Sequence, residues 1–124
     1  MNDNYLQKIF SNLETILPAE WQKVVFYAGY TKGSYSMKYY TDYGDGYVDC
    51  FSDKNVKKAD VINVFIAINR IISRERDSLE DKKRWNVMSM LVDNAGKIKT
   101  EFDYSDISEN PIEYEKEWKK KYIK

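Results

Sequence analysis

Asp42, Asp45 and Asp49 stand close together in the stretch YYTDYGDGYVDCFSD, from Tyr39 to Asp53, interleaved with Tyr43 and Tyr47 and with no Lys, Arg or His among them. Carboxylates gathered in this way can do three kinds of chemistry. They can ligate a hard cation such as Ca²⁺ or Mg²⁺, work in pairs as general acid and base, or offer negative charge to a cationic partner where a phosphate would otherwise sit. The spacing fits the first poorly, because a Ca²⁺ loop alternates oxygen ligands and closes on a Glu, and neither feature is present. No metal and no cofactor is therefore expected. Acid–base work needs a pocket and displaced pKa values that spacing alone does not supply.

A second acidic run, EFDYSDISENPIEYE from Glu101 to Glu115, carries Asp103, Asp106 and Glu109, again without a cation. Lys plus Arg and Asp plus Glu are both 20, so the compensating cations must lie elsewhere and the surface is expected to be polarised. A purely local account competes, since hairpin tips and helix N-termini attract Asp and Glu for their own backbone N–H groups. The alternative is a protein partner with a basic face. Charge would steer the encounter and rings would supply most of the affinity.

Other chemistries are short of parts. The chain has no His, which removes His-based triads, Cys–His pairs and His-ligated zinc. Cys50 is the single cysteine; it forms no internal disulfide, and its acidic surroundings raise a thiol's pKa. Gly44 and Gly46 flank Asp45 as a hairpin turn and form no phosphate loop. Basic residues such as Arg70, Arg74, Arg76, Lys82, Lys83 and Arg84 alternate with Glu75, Asp77, Glu80 and Asp81, which suits a solvated, ion-paired face better than nucleic-acid binding. With zero formal net charge, no direct nucleic-acid partner and no enzymatic activity are expected. The N-terminus, MNDNYLQKIF, lacks the basic and apolar regions of a signal peptide, and no apolar run spans a bilayer, so a cytoplasmic protein is expected.

The elements that must position these residues follow from periodicity. Residues 3–17 place Leu6, Ile9, Phe10 and Leu13 at helical spacing, with Asp3 or Asn4 as a cap and Pro18 as a stop. From Glu20 to Tyr30 the period changes to two with apolar side chains on both faces, which predicts a central strand. Strands from Tyr35 to Thr41 and from Tyr47 to Phe51 follow across turns. Ser52 or Asp53 is a candidate cap for a long helix reaching about residue 80, with Val61, Val64, Phe65, Ile68, Ile71 and Ile72 on its buried stripe. Past Ile72, SRERDSLEDKKR is polar apart from Leu79, so the helix is expected to project or fray. A second hairpin, Trp85–Val92 and Lys97–Tyr104, turns at Asp93-Asn-Ala-Gly96. Pro111 opens a last helix, with Ile112, Glu115, Trp118 and Tyr122 near one face.

The order α-βββ-α-ββ-α in 124 residues predicts a single α+β domain over 1–124, an antiparallel sheet of about five strands with helices mainly on one face. The other face would then present Trp21, Tyr27 and some of Tyr35 to Tyr47 as an aromatic docking surface.

The helix ending in a Pro, the segment AEWQKVVFYAGY, the Tyr-rich strand pair, the hairpin WNVMSMLVDNAGKIKTEFDYSD and the ending ENPIEYEKEWKKKYI together resemble the YezG-like immunity family, from about Leu6 to Ile123. The resemblance implies an α+β antitoxin of the bacterial cytosol. Its implied partner is the nuclease domain of a cognate toxin, often one with an LXG-type targeting region exported by type VII secretion. It supplies no contact pattern residue by residue, so the expected toxin-binding residues rest on charge: Asp42, Tyr43, Asp45, Tyr47 and Asp49, and second Asp103, Asp106 and Glu109. The segment from Arg70 to Arg84 is more basic than a uniformly acidic binder would carry. The competing expectation is a small interaction or dimerising module with no nuclease partner; the chain itself is expected to be a monomer or weak homodimer.

Overall fold

A strand that is apolar at both parities needs cover on both faces, and Lys23–Thr31 (β1) has it: every residue from Val24 to Tyr30 is buried. The structure, a computed structural model, describes residues 4–124. In chain order the elements are Asn4–Glu14 (α1), β1, Ser34–Asp42 (β2), Tyr47–Asp49 (β3), Lys58–Asp77 (α2), Val87–Asp93 (β4), Ile98–Asp103 (β5) and Pro111–Tyr122 (α3). Among the described residues the fold is α+β, three α-helices with a five-stranded antiparallel sheet in the order β3-β2-β1-β4-β5. The expected central strand is central.

Two compact units make up the chain, each assembled from two stretches. The first runs up to Ala19 and then from Phe51 to Arg84. In it α1 packs on α2: Tyr5, Ile9, Phe10 and Leu13 are buried on α1, and Val61, Val64, Phe65, Ile68 and Ile72 on α2. Phe51 meets Phe65 edge-on, centroids 6.0 Å apart. The expected cap at Asp3 lies outside the described residues. α2 starts later than Ser52 or Asp53 would set it, at Lys58, with Lys57 as an N-cap that makes no side-chain hydrogen bond. Asp53 is buried, and its Oδ1 accepts from the N–H of Asn55 at 2.9 Å, so the carboxylate closes a turn ahead of the helix. The polar end of α2 is tied down by Arg84, which donates from Nε to the Arg76 carbonyl and from Nη2 to the Leu79 carbonyl, both at 2.8 Å. The Arg76 carbonyl also accepts the Leu79 N–H at 3.1 Å, so Arg84 braces the last turn of α2 and the residue that follows its cap.

The second unit holds the sheet and α3. Directly opposed residues of antiparallel strands share a face, so Val25 and Tyr27 of β1 lie beside Tyr40 of β2 and Leu91, Ser89 and Val87 of β4. α3 covers this face. Val25, Tyr27, Tyr40, Val87, Ile107 and Trp118 form one buried cluster, with the Trp118 ring 4.8 Å from that of Tyr27 and 6.0 Å from that of Tyr40. The Tyr-rich face expected to be open for docking is thus largely roofed by the chain itself. Trp21 and Tyr47 are half-buried, and Tyr35 is exposed. Tyr114, Trp118 and Tyr122, four residues apart along α3, make the covering stripe, while Ile112 is 74% exposed.

Candidate functional site

The β2–β3 hairpin brings the first group of acids to one edge of the sheet. Asp42 lies opposite both Tyr47 and Lys23, and Tyr40 lies opposite Asp49. Asp42, Tyr47 and Asp49 therefore face the same way, the side that α3 covers further along. Tyr43 and Asp45 sit in the turn between them, where Gly44 and Gly46 adopt φ of 110° and 109°, values that favour glycine. One Asp42 oxygen accepts from the backbone N–H of Gly44 at 2.7 Å and of Gly46 at 3.3 Å, and Gln22 Nε2 donates to the Tyr43 carbonyl at 3.3 Å. The turn is fixed from inside, and Asp45 stands exposed at its tip.

Asp49 is engaged. Lys38 Nζ lies 2.7 Å from its Oδ2. Burial works against the Lys38 charge, but the hydrogen bond and the charge of Asp49 outweigh it and hold the lysine above its ordinary pKa. Burial pushes the Tyr47 hydroxyl upward, with Asp42 adding to the effect. Cys50, next to Asp49, is buried and pushed up to about 12, first by burial, so it is no nucleophile near neutral pH.

The second group divides. Asp103, on the opposite edge strand β5, accepts the Tyr114 hydroxyl at 2.5 Å and the Ser105 N–H at 2.8 Å. These bonds, Tyr114 first, hold its carboxyl below the usual aspartate range. It lines a cleft of about 350 Å³ between β5 and α3 with Glu101, Glu117, Tyr114 and Tyr122. Asp106 and Glu109 lie outside that cleft, exposed in the loop before α3, where Asp106 accepts the Ser108 N–H at 2.9 Å. Glu101 and Glu117 were not singled out by spacing. The signal for them was present in the step of three from Tyr114 to Glu117 along α3, and in the alternation that puts Glu101 on Asp103's side of β5. Tyr122 donates to Glu101, and Trp118 Nε1 donates to Ser89 Oγ at 2.8 Å, so the cleft is the seam that fastens α3 to the sheet. Among the described residues no group of three His, Cys, Asp or Glu side chains is placed to hold a metal ion.

The family model for immunity protein YezG-like matches residues 1–124, the whole chain. The chain belongs to the YezG-like immunity protein family. No curated protein gives a significant match. For a YezG-like immunity protein the role is that of an antitoxin, and the partner is a protein toxin. This YezG-like chain carries acidic, Tyr-bearing segments on two edge strands, β3 and β5. They lie at opposite margins of one sheet. No helix among the described residues is long and apolar enough to cross a membrane.

Proposed function

We propose that this immunity protein works in the cytoplasm as the antitoxin of a nuclease toxin, of the kind exported by type VII secretion, by seating its β2–β3 edge in the toxin's cationic substrate cleft. The observation that carries this reading is the shared facing of Asp42, Tyr47 and Asp49, with Tyr43 and Asp45 at the adjoining tip. A row of carboxylates beside half-buried rings resembles a nucleic-acid strand electrostatically while offering nothing to cleave. The two Gly N–H groups on Asp42 hold its carboxylate in place before any partner arrives, which lowers the ordering cost of binding. Lys38 offsets part of the Asp49 charge, so Asp42 and Asp45 carry most of the attraction. Inhibition is by occupancy, one antitoxin per toxin, and requires no turnover.

The test is co-purification with the toxin's nuclease domain, followed by a DNA-protection assay over a range of salt. Asp45→Lys should weaken binding about tenfold or more and flatten the salt dependence. Glu109→Lys should leave both nearly unchanged. The opposite outcome would move the contact to the β5 side, and binding indifferent to salt and to both reversals would remove substrate mimicry altogether.

A further inference from the structure

The sheet ends differently at its two margins. β3 has three residues and ends in the Lys38–Asp49 ion pair, a short edge of the type that discourages further pairing. β5 has six residues, Ile98–Asp103, with no Pro and, among the described residues, no strand beyond it. Its hydrogen-bonding parity can be read directly. The Asp93 N–H donates to the Lys97 carbonyl at 3.1 Å, and antiparallel ladders alternate. Lys97, Lys99, Glu101 and Asp103 therefore turn their backbone groups toward β4, and Ile98, Thr100 and Phe102 turn theirs outward.

The sequence of that edge is Lys97-Ile-Lys-Thr-Glu-Phe-Asp103. About Thr100 it is complementary to its own reversal: cation, apolar, cation on one side; anion, apolar, anion on the other. We infer that β5 is a homodimer interface, in which two copies of this chain join β5 to β5 antiparallel about a two-fold axis at Thr100. Thr100 then faces its own copy, Lys99 faces Glu101, Ile98 faces Phe102 and Lys97 faces Asp103, each pair occurring twice as an isologous contact requires. The parity agrees. Thr100–Thr100 and Ile98–Phe102 become hydrogen-bonded pairs through the groups that point outward. Lys99–Glu101 falls at a non-hydrogen-bonded pair, where side chains approach most closely. Within one chain Lys99 Nζ lies 3.9 Å from Glu101 Oε2 with both side chains well exposed, a loose contact that a partner strand's lysine can replace while Tyr122 keeps the other Glu101 oxygen. Ile98 and Phe102 are half-buried, so joining removes more apolar surface from water. Registers shifted by two residues set Lys99 against its own copy, or Glu101 against its own copy, and like charges directly opposite are unfavourable. The dimer leaves both β2–β3 edges at the far margins of the doubled sheet, so it stands independently of the nuclease reading.

Sedimentation of the full chain without any toxin tests it. The wild type should dimerise reversibly, and Lys99→Glu and Glu101→Lys, each checked for folding by circular dichroism, should each weaken self-association by about tenfold or more. An equimolar mixture of those two variants should recover a mixed dimer, because each reversed charge then meets its opposite. Thr100→Cys should form a disulfide-linked dimer on mild oxidation, since a hydrogen-bonded pair sets Cα atoms about 5.5 Å apart. A wild type that stays monomeric at about 1 mM, or a dimer that ignores both single reversals, would overturn the proposal.

Discussion

Trp118 Nε1 donates to Ser89 Oγ at 2.8 Å with both residues buried, so the indole that roofs the Tyr27 and Tyr40 rings is also located by a single polar contact with β4. Trp118→Ala removes the ring and opens a cavity, at a cost of about 3–5 kcal/mol. Ser89→Ala leaves a buried N–H without its acceptor, at about 1–3 kcal/mol. Packing is thus the larger effect, and urea unfolding of the two variants should rank them in that order; Ser89→Ala matching Trp118→Ala would contradict it.

Gly29 should not tolerate even a methyl group. A Cβ built there falls 2.5 Å from the Tyr27 hydroxyl oxygen, because the Tyr27 ring lies along the strand over the residue two positions on. Gly29→Ala must move a ring that is 1% exposed and wedged against Trp118. The expected loss is about 1–3 kcal/mol, the range for overpacking, with a change in the near-ultraviolet circular dichroism of the aromatic cluster. An unchanged spectrum and midpoint would show that the ring yields freely.

Arg84 closes the end of α2 through two carbonyls, whereas its contact with Asp81 involves a carboxylate that is 95% exposed. Arg84→Ala should therefore cost about 1–3 kcal/mol, and Asp81→Asn should move nothing measurable. Thermal unfolding, with hydrogen exchange at Ser78 and Leu79 as the local probe, separates the two. Equal effects from both variants would mean that the ion pair, not the capping, holds the helix end.

Stability should fall at both ends of the pH scale for nameable reasons. The Asp103 carboxyl is held low by Tyr114 and Ser105, so its contribution is whole above the unfolded aspartate value of about 4 and is lost as pH falls through the lower folded value. Burial raises Tyr27, and burial with the Asp103 bond raises Tyr114. Their contributions are whole below the unfolded tyrosine value of about 10 and are lost as pH rises toward the folded ones. Urea midpoints against pH should show Asp103→Asn flattening the acid limb and Tyr114→Phe the alkaline limb. A wild-type acid limb unchanged by Asp103→Asn would disprove the assignment.

Local features of the fold were readable from the residues. The apolar mass on both faces of Val24–Tyr30 gave β1 its central place, the glycines of Asp42–Gly46 marked the hairpin, and Pro111 marked the start of α3. What covers the sheet was not readable, because Ile112 and Glu115 pointed to a different stripe of α3 from the one that Tyr114, Trp118 and Tyr122 use. The β1–β4 pairing was equally silent, since nothing local to either strand names a neighbour so far along the chain. At the acidic edge, the types of Asp42 and Asp49 were plain but their engagements were not. One depends on the backbone of a turn, and the other on strand register that brings Lys38 within 2.7 Å.

The place of β1 between β2 and β4 also sets an order of events during synthesis. Its ladder to β2 can zip as soon as the first hairpin leaves the ribosome, but its other margin, from Lys23 to Gly29, waits for Val87–Asp93 to be translated. Until then a run of Val, Phe and Tyr stands open along one side, and chaperone occupancy or crowding among nascent chains should be greatest in that interval.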